Sequence, residues 1–204
     1  MLSYRDSGMA GWDDNQHPNA FVQADEHEVV ARLVFEIRRF KPQVILTFGK
    51  DGLYGHPDHI AICNHSTTAF QLAADDTAFP HHMAIGIQPH QTQRLFYSVR
   101  PRGFRVHMAE TLRAAGIDFP MPSPDRVHDG VDLDTIHITS DVSDGLDAKF
   151  ACIKRHFTQL QPDWPYERVP REVACATMGL EHFIRAEPPV APGETVPADF
   201  FAGL

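Results

Sequence analysis

The sequence predicts an α/β domain, on three observations. Val44-Ile45-Leu46-Thr47-Phe48 is a continuous apolar run, as expected of a parallel strand covered on both faces. Before it, Val30, Leu33, Val34 and Ile37 recur at the spacing of an amphipathic helix. After it comes Gly52-Leu53-Tyr54-Gly55-His56-Pro57-Asp58-His59, a glycine-bearing loop that opens onto a second helical run. Strand, loop, helix is the order in which open α/β sheets build sites beyond the carboxyl ends of their strands.

Taken in order, the first twenty residues are rich in Gly, Asp, Asn and Pro and read as a loop with no strand before it. The first helix is expected from about Asp25 to Phe40, and Lys41-Pro42 ends it. The strand at Val44 to Phe48 and a helix from Ile60 to Ala74 follow, then a loop over residues 76–92. Arg94 to Val99 reads as a second strand, and Phe104 to Ala115 as a short helix that Gly116 is placed to cap. Thr135 to Thr139 alternates like a third strand near an edge, with Asp141 or Ser143 available to cap a helix from about Leu146 to Gln159. A last helix is expected from Arg171 to Ala186. Residues 187–204, with Pro188, Pro189, Pro192 and Pro197, are expected to be a mobile tail after a single domain over 1–186. Three readable strands are few for a doubly wound sheet, so the chain reads as the back two-thirds of one.

Composition narrows the function. The 204 residues are 43% hydrophobic and carry a formal charge of -9, so a substantial core fits, whereas a surface for nucleic acid or anionic membrane does not. No apolar stretch is long enough for a transmembrane helix, and the N-terminus lacks the apolar core of a signal peptide. Cys63, Cys152 and Cys175 are widely spaced and read as small buried hydrophobes in a reducing, cytoplasmic setting.

The 56–59 segment carries the chemistry. Two imidazoles stand three residues apart with a carboxylate between them. Neutral imidazole is a common zinc ligand, and a second imidazole or a carboxylate can orient it or move protons. Pro57 fixes the chain at the helix entrance, and one helical turn brings positions 56 and 59 to the same side. A catalytic zinc usually takes three protein ligands, and this segment offers one or two.

Several stretches together, Tyr4-Arg5-Asp6-Ser7-Gly8-Met9, Ile37-Arg38-Arg39-Phe40-Lys41-Pro42-Gln43-Val44 and Tyr54-Gly55-His56-Pro57-Asp58-His59, resemble the zinc-dependent LmbE/PIG-L family of N-deacetylases. The similarity is greatest to the branch with the mycothiol-pathway deacetylase and the mycothiol S-conjugate amidase. Lys149, His156-Phe157-Thr158-Gln159 and Gly179-Leu180-Glu181-His182-Phe183 look like that family's two C-terminal helices. The resemblance implies a Rossmann-like three-layer α/β sandwich with a mostly parallel sheet and one Zn2+ that serves hydrolysis of an N-acetyl amino-sugar conjugate. By matched position, His59 would be a zinc ligand and His56 the imidazolium that protonates the leaving amine. Tyr54 would contact the amide carbonyl and the substrate, Asp58 would tune His56, and Asp6 would sit near the sugar hydroxyls.

The family also begins with a strand and an Ala-His-Pro-Asp-Asp motif that supplies two further ligands and the general base. Nothing before residue 56 fits it, since His17-Pro18-Asn19 has no acid after it. The expectation is therefore an N-terminally truncated family member, with Met1 an internal start, an incomplete ligand set and little or no deacetylase activity in isolation. The alternative is a catalytically dead remnant that persists as a sugar-conjugate-binding or scaffold domain. A metallo-β-lactamase pattern would need His at position 54, where Tyr stands.

Overall fold

The computed structural model describes residues 2–156 and 168–204. In chain order its elements are α1 (Glu26–Phe40), β1 (Val44–Phe48), the short turn α2 (Gly52–Gly55), α3 (Pro57–Leu72), α4 (Pro80–Ala84), β2 (Arg94–Val99), α5 (Phe104–Ala114), β3 (Ile138–Asp141), α6 (Leu146–Ile153), α7 (Arg171–Met178) and β4 (Leu180–Glu187). The class is α/β and Rossmann-like, as expected, with β1 and β2 parallel and in register from Val44 opposite Arg94 to Phe48 opposite Ser98. Two compact units divide the chain: Met1–Val99 with Phe183–Leu204, and Arg100–His182.

In the first unit, α1 starts where the Asp25 carboxylate accepts the Glu28 N–H at 2.9 Å, and stops where Lys41 turns left-handed. Its buried stripe, Val30, Val34 and Ile37, packs on Ala69 and Ala73 at the far end of α3 and on Phe79 at the start of α4. Into that joint runs Arg38, 1% exposed, whose guanidinium donates to the carbonyls of Leu72, Ala73, Asp75, Ala78 and Phe79 at 2.6–3.5 Å. A cation among the carbonyls at a helix C-terminus satisfies acceptors that the helix itself leaves open.

The same guanidinium lies 3.4 Å from His82 Nδ1, and the buried His82 ring is enclosed by Phe35, Phe79 and His81. Burial, with His81 and Arg38 adding repulsion, holds His82 below the ordinary histidine range. As pH falls below about 6.5 the unfolded chain therefore takes up this proton before the folded chain does. Stability is full above that pH and declines as pH falls through the lower, folded value. The melting temperature is expected to drop between pH 7.5 and 5.5, with a shallower slope in His82→Gln. An unchanged slope in that variant would remove His82 from the account.

Two expectations about strands are corrected. β1 is not covered on both faces: Leu46 is 51% exposed. An unbroken apolar run is compatible with double burial but does not supply the second covering layer. The helix expected over 171–186 ends at Met178, and Leu180–Glu187 is a strand. Gly179 is the break, since a Cβ there would meet Cys175 O at 2.5 Å and Ser143 Oγ at 2.6 Å. β4 lies beside β2 in the first unit, where Phe200 packs edge-on against Phe96 and Phe183. In the segment read as a mobile tail, Phe200 O and Ala202 O accept from Arg94, and Glu194 pairs with Arg185 at 2.6 Å.

In the second unit, β3 flanks the start of β4, and Thr139 Oγ1 lies 2.9 Å from His182 Nδ1. Lys149 on α6 donates to Met178 O and pairs with Glu181, both at 2.9 Å. The strand expected at 135–139 falls later, at Ile138–Asp141, because Leu133–Thr135 closes into a 3₁₀ turn. Phe157, Thr158 and Gln159 lie outside the described residues. Of the cysteines only Cys63 is buried, and Cys152 is exposed. Among the described residues, no helix is long and apolar enough to cross a membrane.

Candidate active site

The site is built in the first unit, where the chain leaves β1. Gly49 accepts no side chain easily, since a Cβ would lie 3.1 Å from Ser98 O. The Asp51 carboxylate then accepts the Leu53 N–H at 3.0 Å, and Gly52 turns at φ +63°. Leu53 (φ 67°, ψ -39°) and Tyr54 (φ -148°, ψ 20°) leave helical geometry altogether. The positive φ at Leu53, a non-glycine residue, costs about 1–3 kcal/mol and tends to occur where a site needs it. Here the kink swings Tyr54 edge-on to both His56 and His59, with ring centres 5.9 and 5.1 Å away.

The two histidines sit 4.8 Å apart, centre to centre, and hydrogen bonds give them opposite tautomers. His56 caps α3: its Nδ1 accepts the Asp58 N–H at 3.2 Å, so the neutral ring carries its proton on Nε2. His59 Nδ1 lies 3.1 Å from Gly52 O, and a carbonyl can only accept, so its proton is on Nδ1 and Nε2 holds a lone pair. The His59 ring lies flat on Phe48, 3.7 Å between centres and 5° between planes. Burial pushes its pKa down, in favour of the neutral form that binds metals. One imidazole thus offers a hydrogen-bond donor and the other a ligand atom.

Asp6 comes to this place from the N-terminal loop. Ligand atoms of Asp6, His56 and Asp58 all lie within 4.8 Å of one another. Between them, fully buried Ser7 donates its N–H to Asp58 Oδ2 at 3.0 Å and accepts the Val22 N–H on Oγ at 3.1 Å. Asn15 braces the loop from outside: its Nδ2 donates to Ser7 O and Met9 O, and its Oδ1 accepts from Gly11 N at 2.9 Å. Ser7 and Asn15 were not legible as site residues, since the Ser7 backbone N–H reaches Asp58 and the Asn15 side chain binds only backbone groups of the loop. The residue types around Asp6 carried no trace of a partner fifty positions on.

The donor chemistry suits a divalent cation. Asp58 Oδ1 is buried with no hydrogen-bond partner, beside the Asp6 carboxylate and the His56 imidazole. Buried carboxylate oxygens are normally satisfied, so this one points to a missing positive partner. One imidazole nitrogen with carboxylate oxygens is a donor set that zinc accepts, as do other first-row divalent metals. The tightest group contains His56 rather than His59, but the Nδ1 of His56 is already engaged by a backbone N–H and its neutral Nε2 is protonated.

Comparison with known proteins fits this arrangement. Over 206 residues, 98% of this chain and 68% of the relative, the sequence is 32% identical to a 1D-myo-inositol 2-acetamido-2-deoxy-alpha-D-glucopyranoside deacetylase of Geodermatophilus obscurus. The chain belongs to this LmbE/PIG-L deacetylase family. A deacetylase of the same name from Thermobispora bispora is 35% identical over 88% of this chain and 58% of its own length. A deacetylase 2 from Catenulispora acidiphila is 31% identical over 98% of this chain and 68% of its own. The chain therefore spans about three-fifths to two-thirds of the curated relatives it matches. No family model matches the chain.

Within this deacetylase fold, Gly52 is the position where a substitution tells most about the site. A Cβ at Gly52 would sit 2.8 Å from Ile60 Cγ1 and 3.2 Å from Ile60 N, on a backbone already at φ +63°. Gly52→Ala is expected to cost about 1–3 kcal/mol and to shift the carbonyl that orients His59. Chemical denaturation together with a zinc titration checks both effects; native stability with native metal affinity would contradict them.

Proposed function

We propose that this chain forms part of a metal-dependent amide-hydrolase site that removes the acetyl group from an N-acetyl amino-sugar conjugate. The observation that carries the reading is the tautomer split between His56 and His59. An amide needs a more electrophilic carbonyl and a proton for its leaving nitrogen. A bound zinc would supply the first need by Lewis acidity, and by lowering the pKa of bound water toward about 7. His59 Nε2 would hold it, with Asp58 Oδ1, which lacks a hydrogen-bond partner, the oxygen at hand. The neutral His56 Nε2–H donates a hydrogen bond toward the reacting amide. To protonate the departing amine the ring must first become the imidazolium, with a proton on Nδ1 in place of the Asp58 N–H contact. That general-acid role is worth roughly 100- to 10,000-fold in rate. Tyr54, aimed at both rings by the kink, contacts the acyl oxygen. Asp58 spans its own N–H contact to His56 and the Ser7 clamp, so it fixes where His56 points. Asp6 serves the sugar side. The relatives' names specify a 2-acetamido-2-deoxy-glucoside of inositol, and that class of conjugate is the substrate proposed here.

Three ligands, a base and an acid make five groups. Among the described residues the cluster gathers four: Asp6, His56, Asp58 and His59. If His56 is kept as acid, either the ligand set or the base is short by at least one. The purified 204-residue chain is therefore expected to bind metal but to release acetate slowly or not at all. A binding role for the sugar conjugate is the second reading, favoured by the same count. Acetate release from N-acetylglucosaminyl inositol, with and without zinc, tests both. Full zinc-dependent turnover by this polypeptide would sink the count, and sugar binding without turnover would favour the second reading.

A further inference from the structure

Resting on the amino-sugar reading above, we propose that Trp12 determines specificity at this site, its half-exposed indole forming a platform on which the apolar face of the sugar ring stacks. An indole is the largest apolar surface a residue can offer and is usually drawn inward, yet Trp12 is 54% exposed. It is not loose. Its backbone N–H donates to Met9 O at 3.1 Å, and its backbone carbonyl accepts the Asn15 N–H at 3.0 Å, which fixes the main chain that carries the ring. The ring lies against Gly8, where a Cβ would be 2.9 Å from Cε3 and 3.6 Å from Cδ2.

Gly8 connects this platform to the site. Its N–H donates to Asp6 Oδ1 at 2.7 Å, so one residue without a side chain touches the indole on one side and the Asp6 carboxylate on the other. Asn15 locks the same loop through Met9, Gly11 and Ser7. A flat aromatic face and a carboxylate acceptor, both held in advance, match the two chemistries of a pyranose. Its ring C–H groups form an apolar, slightly positive face that suits a π-system. Its hydroxyls need acceptors, which a carboxylate supplies. Because the platform is preorganised and indole has few rotatable bonds, little entropy is lost on binding.

The probe is methyl 2-acetamido-2-deoxy-α-D-glucopyranoside, titrated into the full chain and followed by ligand-observed NMR. Trp12→Leu, which keeps bulk but loses the flat ring, is expected to bind roughly tenfold more weakly, and Trp12→Phe within about threefold of the native chain. In a Trp164→Phe background, the emission of Trp12 itself is expected to change as the sugar saturates. Native affinity in Trp12→Leu, an unresponsive Trp12 at saturation, or no sugar binding by the native chain would each overturn the proposal. Acetate release measured in parallel separates the two readings. Trp12-dependent binding without hydrolysis under any metal keeps the platform and favours the binding reading. Hydrolysis at unchanged KM in Trp12→Leu does the reverse.

Discussion

Replacing Arg38 with alanine is expected to lower folding stability by at least about 3 kcal/mol, the largest single effect on stability in the first unit. The guanidinium is almost fully buried and donates to five backbone carbonyls around the end of α3 and the turn into α4. Each buried acceptor stripped of its donor costs about 1–3 kcal/mol, less whatever water recovers by entering the gap. The methylene stem also fills the joint between α1 and α3, so alanine leaves a void. Arg38→Lys keeps the charge but not the planar fork and is expected to recover less than half of the loss. Denaturant titration with an unchanged slope is the check. A loss under about 1 kcal/mol would mean that the carbonyls find other donors.

His59→Gln is expected to reduce zinc affinity by more than the roughly 10- to 100-fold that loss of an outer-shell partner costs. His59 is the imidazole whose Nδ1–H is tied to Gly52 O, leaving Nε2 with a lone pair, and stacking on Phe48 holds the ring still. Glutamine offers only a weak amide oxygen from a flexible stem. His56→Gln is the control. Its Nδ1 is spent on the Asp58 N–H, so it should leave zinc affinity within a few-fold while removing the proton donor. Calorimetric zinc titration of both variants decides between them. Equal losses would place both rings on the metal.

The parts of the fold that could be read from the sequence were those whose pattern is local. The apolar spacing of Val30, Val34 and Ile37 located α1, and the runs at 44–48 and 94–99 located β1 and β2 residue for residue. β4 was missed because Leu180 to Glu187 has an apolar content that suits either period, and only the crowding at Gly179 marks the break. The pairing of His56 and His59 across one helical turn was legible, and the resemblance supplied their roles. Which imidazole holds its proton where was not, because it depends on the Gly52 carbonyl and on the N-terminal N–H groups of α3. Asp6 was read as a sugar-side residue. Its place beside His56 and Asp58 required the Ser7 N–H that joins two segments about fifty residues apart. Nothing local to Arg38 announced that five carbonyls would converge on it.

The tautomers themselves are the most direct measurement. Long-range 1H–15N spectra of the imidazoles, recorded at mildly alkaline pH before and after zinc, report which nitrogen of each ring carries a proton and which binds metal. The account predicts His56 protonated on Nε2 throughout, and His59 protonated on Nδ1 with its Nε2 resonance shifted by zinc. A zinc-induced shift at His56 with His59 unmoved would contradict it.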